Sequence, residues 1–340
     1  MTLDGNFFNP GNWDTLDGIM NPHATPDDPR LRAAVIGAGT MGPGIAQAFA
    51  QGGFEVWLID VQEGILQRAL AQIKTNLSLF EDQRMISSRE IESILSRIKV
   101  STDPTEGIRD AEFVTEAVSE SLAVKRKVFK TLDKLTPATA ILASNTSGLS
   151  ITSIATVTKR PERVIGANWW NPAHIIPLVE IMRGRKTSEE TVMKTKSILL
   201  SIGKKPIIVL KPILGFIGNR LQMALFREAL NILERGVASV EDIDTAVSYG
   251  PGFRYPVLGP FRVSDYGGLD VFYHLSQELF KDLDHSRNPS PALKRLVAKN
   301  QVGIKTGKGF FDYNGLNEVE LAKERDRGLL GVVRALQLKE

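Results

Sequence analysis

The stretch AAVIGAGTMGPGIAQAFAQGG, residues 33–53, decides the fold class of this chain. It opens with the apolar run Ala33–Ile36, typical of a buried strand, and passes through a glycine-rich turn into a helix that ends at Gly52–Gly53. A GxGxxG pattern is informative here because it lies between a predicted strand and a predicted helix. The stretch therefore predicts the first βα unit of a dinucleotide-binding sheet.

The predicted cofactor loop consists of Gly37, Gly39, Thr40, Met41 and Gly42. The first glycine is expected to form the tight turn, the second to let a pyrophosphate approach the backbone, and the third to let helix and strand pack closely. The N-terminus of the helix would then face the phosphates. The alternative is an ordinary strand–helix turn whose glycines bind nothing.

Asp60 ends the next predicted strand, FEVWLID (54–60), about 20 residues beyond the motif. An acidic side chain there accepts hydrogen bonds from the ribose hydroxyls and repels a 2′-phosphate. Gln62 and Glu63 follow it, so no arginine is at hand to bind such a phosphate. NAD is therefore predicted in preference to NADP, although Asp60 would also suit a strand-end cap.

Predicted strands and helices alternate up to about residue 210. Further strands are predicted at 97–101, 112–118, 140–145, 163–169, 178–182 and 206–210, and helices around 65–77, 120–135 and 188–202. The sequence Ser87-Ser88-Arg89-Glu90 looks like a capping box that opens another helix. This alternation predicts an α/β fold with a parallel, doubly wound sheet of the Rossmann type.

After Pro212 the pattern becomes helical. Helices are predicted within 215–236, 240–250, 267–280 and 291–300, and a strand pattern returns only at 309–313. We predict an N-terminal arm over 1–29, an NAD-binding domain over 30–211 and an all-helical domain over 212–340. The arm carries five aspartates and no lysine or arginine, unlike a presequence. It is interpreted as packing on the body or on a partner subunit, or as a frayed tail.

The composition excludes several classes of protein. The 42 basic and 39 acidic residues are interspersed, which does not suit a nucleic-acid-binding surface. The longest apolar runs are strand-sized, far below the roughly 20 residues that a membrane span needs. The absence of cysteine excludes disulfides, thiol nucleophiles and thiolate metal sites. These features predict a cytoplasmic protein with a small-molecule substrate.

Several further motifs carry a resemblance. With the glycine loop come EAVSESLAVKRKVFKTLD (116–133), ILASNTSGLSITSIA (141–155), NP…PLVEI (171–181), GFIGNR (215–220) and KTGKGFFDY (305–313). Together they resemble the 3-hydroxyacyl-CoA dehydrogenase family from residue 31 to residue 313. The segment GPGFRYPVLGPFRVSDYGGLD (250–270) is more similar to the branch containing lambda-crystallin, L-gulonate 3-dehydrogenase and carnitine dehydrogenase. The resemblance implies a homodimer, a helical dimerisation domain and NAD-dependent interconversion of a secondary alcohol and a ketone.

The resemblance also implies roles for individual residues. Glu120, Lys125 and Lys305 would contact the nicotinamide side of the cofactor. Ser147 would lie at the cofactor and bond the substrate oxygen, and Asn219 would hold the substrate or the nicotinamide. Taken singly, each has a plainer interpretation: a solvated charge, a turn residue or a polar residue at a helix N-terminus.

One position departs from the family pattern. Family members usually carry a histidine three residues before the Asn-Pro pair, and here that position is Asn168, while the glutamate expected nine residues after Asn171 is present as Glu180. An amide cannot accept and release a proton near neutral pH. Three hypotheses follow: His174 takes over as the base with Glu180, or the substrate is an imine or activated carbonyl that needs little base help, or the chain binds NAD without turnover.

A second departure concerns coenzyme A. Asn76 and Gln83 stand where the family usually has a serine and a lysine that contact CoA, and only Arg84 offers charge nearby. A CoA phosphate would be expected to meet a cationic side chain. A smaller substrate such as a free hydroxy acid is therefore an alternative, with Arg254 as a candidate fork for its carboxylate, or else as an ordinary surface arginine.

Overall fold

The computed structural model describes residues 32–337. The predicted N-terminal arm over 1–29 lies outside the described residues. Two compact units are present: one holds the described residues up to Ile73 together with Glu92–Leu210, and the other holds Lys74–Ile91 and the described residues from Lys211 onward.

One sheet organises the first unit. Its strands are β1 (Arg32–Ile36), β2 (Glu55–Ile59), β3 (Ile98–Ser101), β4 (Phe113–Glu116), β5 (Ile141–Ser144), β6 (Val164–Trp169), β7 (Leu178–Arg183) and β8 (Lys205–Val209). They lie in the order β3-β2-β1-β4-β5-β6-β7-β8. Every predicted strand before residue 211 is confirmed to within a few residues. The Rossmann-type α/β fold is therefore confirmed.

The sheet departs from the prediction at its last two strands. β1 to β6 run parallel, but β7 runs antiparallel to β6 and parallel to β8. The sheet is therefore mainly parallel, as predicted, with one antiparallel pair that the prediction did not contain. The reason is chain length: only residues 170–177 join β6 to β7, whereas a parallel crossover needs a dozen or more residues. The antiparallel register sets Asn168 directly opposite Glu180.

Helices lie between these strands along the chain. They are α1 (Gly42–Gln51), α2 (Glu63–Asp82), α3 (Ser88–Ser96), α4 (Leu122–Leu135), α5 (Ile151–Ala155) and α6 (Glu189–Ser201). The capping box is confirmed at α3, because the Ser87 N–H donates to Glu90 Oε2 at 2.8 Å and the Glu90 N–H donates to Ser87 Oγ at 3.4 Å. The hydrogen bond from the Ser87 side chain is the main cause that lowers the pKa of Glu90.

The described part of the second unit is helical after residue 211. Its helices are α7 (Gly218–Glu234), α8 (Val240–Tyr249), α9 (Pro251–Arg254), α10 (Pro260–Gly267), α11 (Leu269–Asp282), α12 (Pro291–Ala298) and α13 (Glu318–Gln337). The prediction of a strand at 309–313 is wrong, because the described segment takes part only in an isolated bridge between Asp312 and Lys308. Between residues 32 and 337, no helix is both long and apolar enough to cross a membrane.

Candidate functional site

The glycine loop shows why three glycines are needed. Gly37 has φ +103°, and a Cβ added there would lie 2.7 Å from the carbonyl oxygen of Ala117. A Cβ at Gly42 would lie 1.9 Å from the carbonyl oxygen of Gly37, so the turn closes only if both are glycine. At Gly39, by contrast, no heavy atom of the described chain beyond its neighbours comes within 4 Å of an added Cβ. This is the space through which a pyrophosphate would approach.

The loop leads directly into a helix N-terminus. α1 begins at Gly42, and its first turn, Gly42–Ile45, carries no charged side chain. Gly39 and Thr40 are exposed just before it. Backbone N–H groups and the helix dipole together attract an anion at such a position. The loop therefore fits the pyrophosphate of a dinucleotide.

Asp60 follows β2 and is bonded to the same loop. Its Oδ2 accepts from the Ala38 N–H at 2.8 Å, and its Oδ1 accepts from the Gln62 N–H at 3.2 Å. Asp60 therefore does cap the end of β2, but its side chain stays partly exposed beside the glycine loop. A carboxylate has about four lone-pair sites, so Asp60 retains the capacity to accept from ribose hydroxyls.

A buried ion pair lies at the end of β4. Glu116 Oε1 accepts from Lys125 Nζ at 2.7 Å and from the Val118 N–H at 2.8 Å. Glu116 Oε2 accepts from Ser144 Oγ at 2.6 Å. The side chains of Glu116 and Lys125 are both 0% exposed. Lys125, predicted to contact the nicotinamide, therefore has its ammonium group inside the protein.

Glu120 connects this pair to the loop after β5. Lys125 Nζ lies 3.3 Å from Glu120 Oε2. Glu120 Oε1 accepts from the hydroxyl of Thr146 and, at 3.0 Å, from the backbone N–H of Ser147. The Ser147 side chain is exposed while Thr146 is buried. Glu120 thus holds the backbone that presents the Ser147 hydroxyl.

Asn168 is oriented by Glu180 from the neighbouring strand. The Asn168 Nδ2 donates to Glu180 Oε2 at 2.9 Å, and the indole N–H of Trp170 donates to the same oxygen at 3.3 Å. Because a carboxylate only accepts, the amide nitrogen must face it, which turns Asn168 Oδ1 away. That oxygen accepts from Ser147 Oγ over a long 3.5 Å. The structure therefore brings Ser147, Asn168 and Glu180 together.

His174 lies in the turn between β6 and β7. The ring is buried, and its Nδ1 would lie 3.3 Å from a Cβ placed at Gly44 of α1. Lys204 secures the same turn, because its Nζ donates to the carbonyl oxygens of Ala173 at 2.7 Å and Ile176 at 3.1 Å. Burial lowers the pKa of Lys204 to about 8.

We expect the buried amine of Lys204 to make stability depend on pH. Between about pH 8 and the ordinary pKa of 10.5, the Lys204 amine is protonated in a larger fraction of the unfolded chains than of the folded chains. The contribution of Lys204 to the free energy of unfolding should therefore rise with pH across this window, by up to about 3 kcal/mol. Urea denaturation of wild type and Lys204→Met at several pH values measures the difference. If the difference in unfolding free energy between wild type and Lys204→Met does not change from pH 8 to 10.5, the lowered pKa of Lys204 is contradicted.

Three predicted site residues belong to the second unit. Asn219 lies in the first turn of α7 and lines a groove of about 820 Å³ with Arg220 and Arg227. Arg254 ends the short helix α9 and is exposed. Lys305 is exposed in a 3₁₀ turn, Ile304–Thr306. Their roles remain predictions.

Several buried polar residues in and near the site are not predicted by the sequence. Glu116, Ser144 and Thr146 lie inside the motifs that carry the resemblance, but the sequence alone predicts no role for them, nor for Lys204. A signal was available for Glu116, because it ends a strand whose other residues are Phe113, Val114 and Thr115, and a charged residue in such a buried strand is rarely without a partner. For Lys204 the same argument applies at the start of β8.

These features define a class of protein. A glycine loop before a helix, a carboxylate after the next strand, and a polar cluster at the carboxyl ends of the following parallel strands are the mark of a dinucleotide-binding oxidoreductase of the Rossmann type. Comparison with known families gives the narrower assignment. The model of the 3-hydroxyacyl-CoA dehydrogenase NAD binding domain matches residues 32–213, and that of the C-terminal domain matches residues 215–313. The chain belongs to the 3-hydroxyacyl-CoA dehydrogenase family, and the NAD prediction is confirmed.

Individual relatives agree with this assignment. The chain is 37% identical to 5-formyl-3-hydroxy-2-methylpyridine 4-carboxylate 5-dehydrogenase of Mesorhizobium japonicum, over 90% of this chain and 98% of the relative. It is 40% identical to human mitochondrial hydroxyacyl-coenzyme A dehydrogenase, over 82% of this chain and 90% of the relative.

Solved structures give the same picture. A crystal structure of 5-formyl-3-hydroxy-2-methylpyridine 4-carboxylic acid 5-dehydrogenase, described as an NAD⁺-dependent dismutase, superposes with a TM-score of 0.84 at 35% identity, covering 90% of this chain and 98% of that one. An (S)-3-hydroxybutyryl-CoA dehydrogenase from Ralstonia eutropha gives 0.68 at 34% identity, covering 84% and 99%.

Proposed function

We propose that this protein transfers hydride between NAD and the carbon that bears the hydroxyl or carbonyl oxygen of a small substrate, a 3-hydroxy acid, a hydroxyacyl-CoA or a similar molecule. The observation that carries the proposal is the meeting of Ser147, Asn168 and Glu180 at the same sheet edge as the glycine loop. NAD would supply the hydride acceptor. The protein would bind the cofactor through the glycine loop and Asp60 and would hold the substrate oxygen at Ser147.

Asn168 would act as an acceptor in this site. It stands where the family resemblance implies a histidine, and Glu180 holds its nitrogen so that Oδ1 points towards Ser147. A substrate hydroxyl can donate to Asn168 Oδ1 and accept from Ser147 Oγ. The amide cannot take the proton, so on oxidation the proton would pass to water beside the exposed Ser147, unless His174 serves as a relocated base.

A second candidate substrate class is a small aldehyde in its hydrated form. The Mesorhizobium japonicum relative is named for a 5-formyl substrate, and a crystal structure of an enzyme with the same activity name is described as that of an NAD⁺-dependent dismutase. A hydrated aldehyde carries two hydroxyls, which matches the two oxygens, Ser147 Oγ and Asn168 Oδ1, that this site presents. Oxidation of such a hydrate would yield a carboxylic acid, and the hydride could then reduce a second aldehyde molecule.

NADH absorbance tests the proposal. The chain would be screened with NAD or NADH against hydroxy acids, hydroxyacyl-CoA thioesters, amines and heteroaromatic aldehydes, and NADP would be compared with NAD. Turnover with NAD and weaker turnover with NADP are expected, because the Asp60 carboxylate repels a 2′-phosphate. NAD binding with no turnover on any of these classes would instead favour a binding or sensor protein.

The remaining roles are proposed on the family resemblance. Glu120 and Lys305 are proposed to contact the nicotinamide side, and Asn219 the substrate or the nicotinamide. Arg254 is proposed as a fork for a substrate carboxylate on separate grounds, because Asn76 and Gln83 leave little charge to bind CoA. A cytoplasmic location is proposed because the chain has no cysteine and carries interspersed charges.

We also propose a homodimer formed through the helices of the second unit. This unit exposes large aromatic side chains, each more than 70% accessible: Tyr249, Phe253, Phe261, Tyr266 and Phe280. So much exposed apolar surface is unusual on a monomer and typical of an interaction surface. Light scattering of the full chain should give the mass of two chains. Phe261→Asp should shift it towards one chain, and a wild-type monomer would refute the proposal.

A further inference from the structure

We infer that Glu116 is a positioning residue of the cofactor site, which acts through Lys125 and Ser144 to set the place of Glu120 and Ser147. The inference rests on the proposed function in that it takes NAD to bind at this sheet edge. Glu116 itself touches neither cofactor nor substrate, because its side chain is fully buried.

The hydrogen bonds of Glu116 join three elements of the first unit. Its two oxygens accept from Lys125 Nζ on α4, from Ser144 Oγ at the end of β5, and from the Val118 N–H after β4. The donor–acceptor distances lie between 2.6 and 2.8 Å. A single carboxylate therefore sets how the start of α4 and the end of β5 sit against β4.

From Glu116 the hydrogen-bond network extends through Lys125 towards the protein surface. Lys125 Nζ reaches Glu120 Oε2 at 3.3 Å, and the Glu120 side chain is 46% exposed. Glu120 in turn binds the Thr146 hydroxyl and the Ser147 N–H. A buried charge is thus connected through one ammonium group to the exposed residues that the cofactor and substrate would meet.

Stability alone does not account for this arrangement. Removing two charges from water is costly, and apolar residues of similar volume often stabilise a core equally well or better. A role in fixing the positions of Glu120 and Ser147 would explain the Glu116–Lys125 pair, because charge-assisted hydrogen bonds are short and directional. Lys125 would then act through Glu120, rather than by direct contact with the nicotinamide.

The chain offers a matched control for a test. Asp133 and Arg163 form a second buried ion pair, 3.0 Å apart and both 5% exposed. Arg163 also donates to the carbonyl oxygens of Pro137 and Ala140, which precede β5, so this pair lies at the amino ends of the strands. It resembles the Glu116–Lys125 pair in burial but lies at the opposite edge of the sheet.

Glu116→Gln and Asp133→Asn would be compared in the full-length protein. Titration calorimetry measures the Kd for NAD, and hydrogen–deuterium exchange without NAD measures the mobility of residues 145–149. Both variants are expected to melt at a lower temperature than wild type. Only Glu116→Gln is expected to speed exchange at 145–149 and to weaken NAD binding, by about 10-fold or more, the effect of losing roughly one hydrogen bond to a charged group. Asp133→Asn should leave both readouts close to wild type.

The double variant Glu116→Gln/Lys125→Met separates positioning from stability. It also removes the buried ammonium group of Lys125, which in Glu116→Gln keeps only the half-exposed Glu120 as a charged partner, so its melting temperature should recover relative to Glu116→Gln. Its NAD affinity and loop exchange should not recover. Unchanged NAD affinity and exchange in Glu116→Gln, or recovery of both in the double variant, would overturn the inference. Should wild type fail to bind NAD, the proposed function fails, and the exchange comparison still decides the role of Glu116.

Discussion

Asn168→His is expected to raise the rate of alcohol oxidation at neutral pH by roughly 10²–10⁴-fold, the usual contribution of a general base. The reason is the position of Glu180, whose Oε2 now accepts from the Asn168 amide at 2.9 Å and would accept equally from an imidazole N–H. Rates measured against pH check this. Wild type should gain rate steadily with pH, whereas the variant should reach a plateau above about pH 6.5, the ordinary pKa of histidine.

His174→Ala is the control for this prediction. If His174 were the base in wild type, its loss would lower the rate and remove any plateau, and Asn168→His would then add little. If the amide site works without a base, His174→Ala should leave the wild-type pH profile unchanged. A wild-type profile that already has a plateau, and loses it in His174→Ala, would refute our interpretation of Asn168.

Gly42→Ala is expected to abolish tight NAD binding and to destabilise the fold. The new Cβ would lie 1.9 Å from the carbonyl oxygen of Gly37, so the loop or α1 must shift. Overpacking of this kind costs about 1–3 kcal/mol of unfolding free energy. The Kd for NAD should rise by roughly 100-fold, since about 3 kcal/mol of binding energy corresponds to that factor. Urea denaturation and titration calorimetry measure the two effects.

Gly39→Ala provides the matched comparison. The described chain places no heavy atom within 4 Å of this Cβ apart from the neighbouring residues, so stability should stay close to wild type. NAD binding should still weaken, because the methyl group would occupy the space of the pyrophosphate. If Gly39→Ala binds NAD normally, the loop is not the pyrophosphate site.

Much of the fold follows from short-range pattern. The run Ala33–Ile36, the glycine loop and the capping box at Ser87–Glu90 all form as predicted, because each depends on residues close in sequence. The direction of β7 was not predicted correctly, since hydrophobic pattern identifies a strand but not its orientation. In the described structure no strand forms at 309–313, and residues 303–312 form isolated bridges instead.

The residues of the site also divide into those predicted from short-range pattern and those decided by tertiary packing. The sequence alone predicts the glycine loop, Asp60 and an amide at position 168, where the resemblance implies a histidine, because these depend on residue type and local spacing. Only packing decides that Lys125 is buried, that Glu116 holds it together with Ser144, and that Glu180 turns the Asn168 amide. The Ser144–Glu116 contact joins residues 28 apart in sequence. Such contacts depend on how strands are ordered in the sheet, and no local pattern encodes that order.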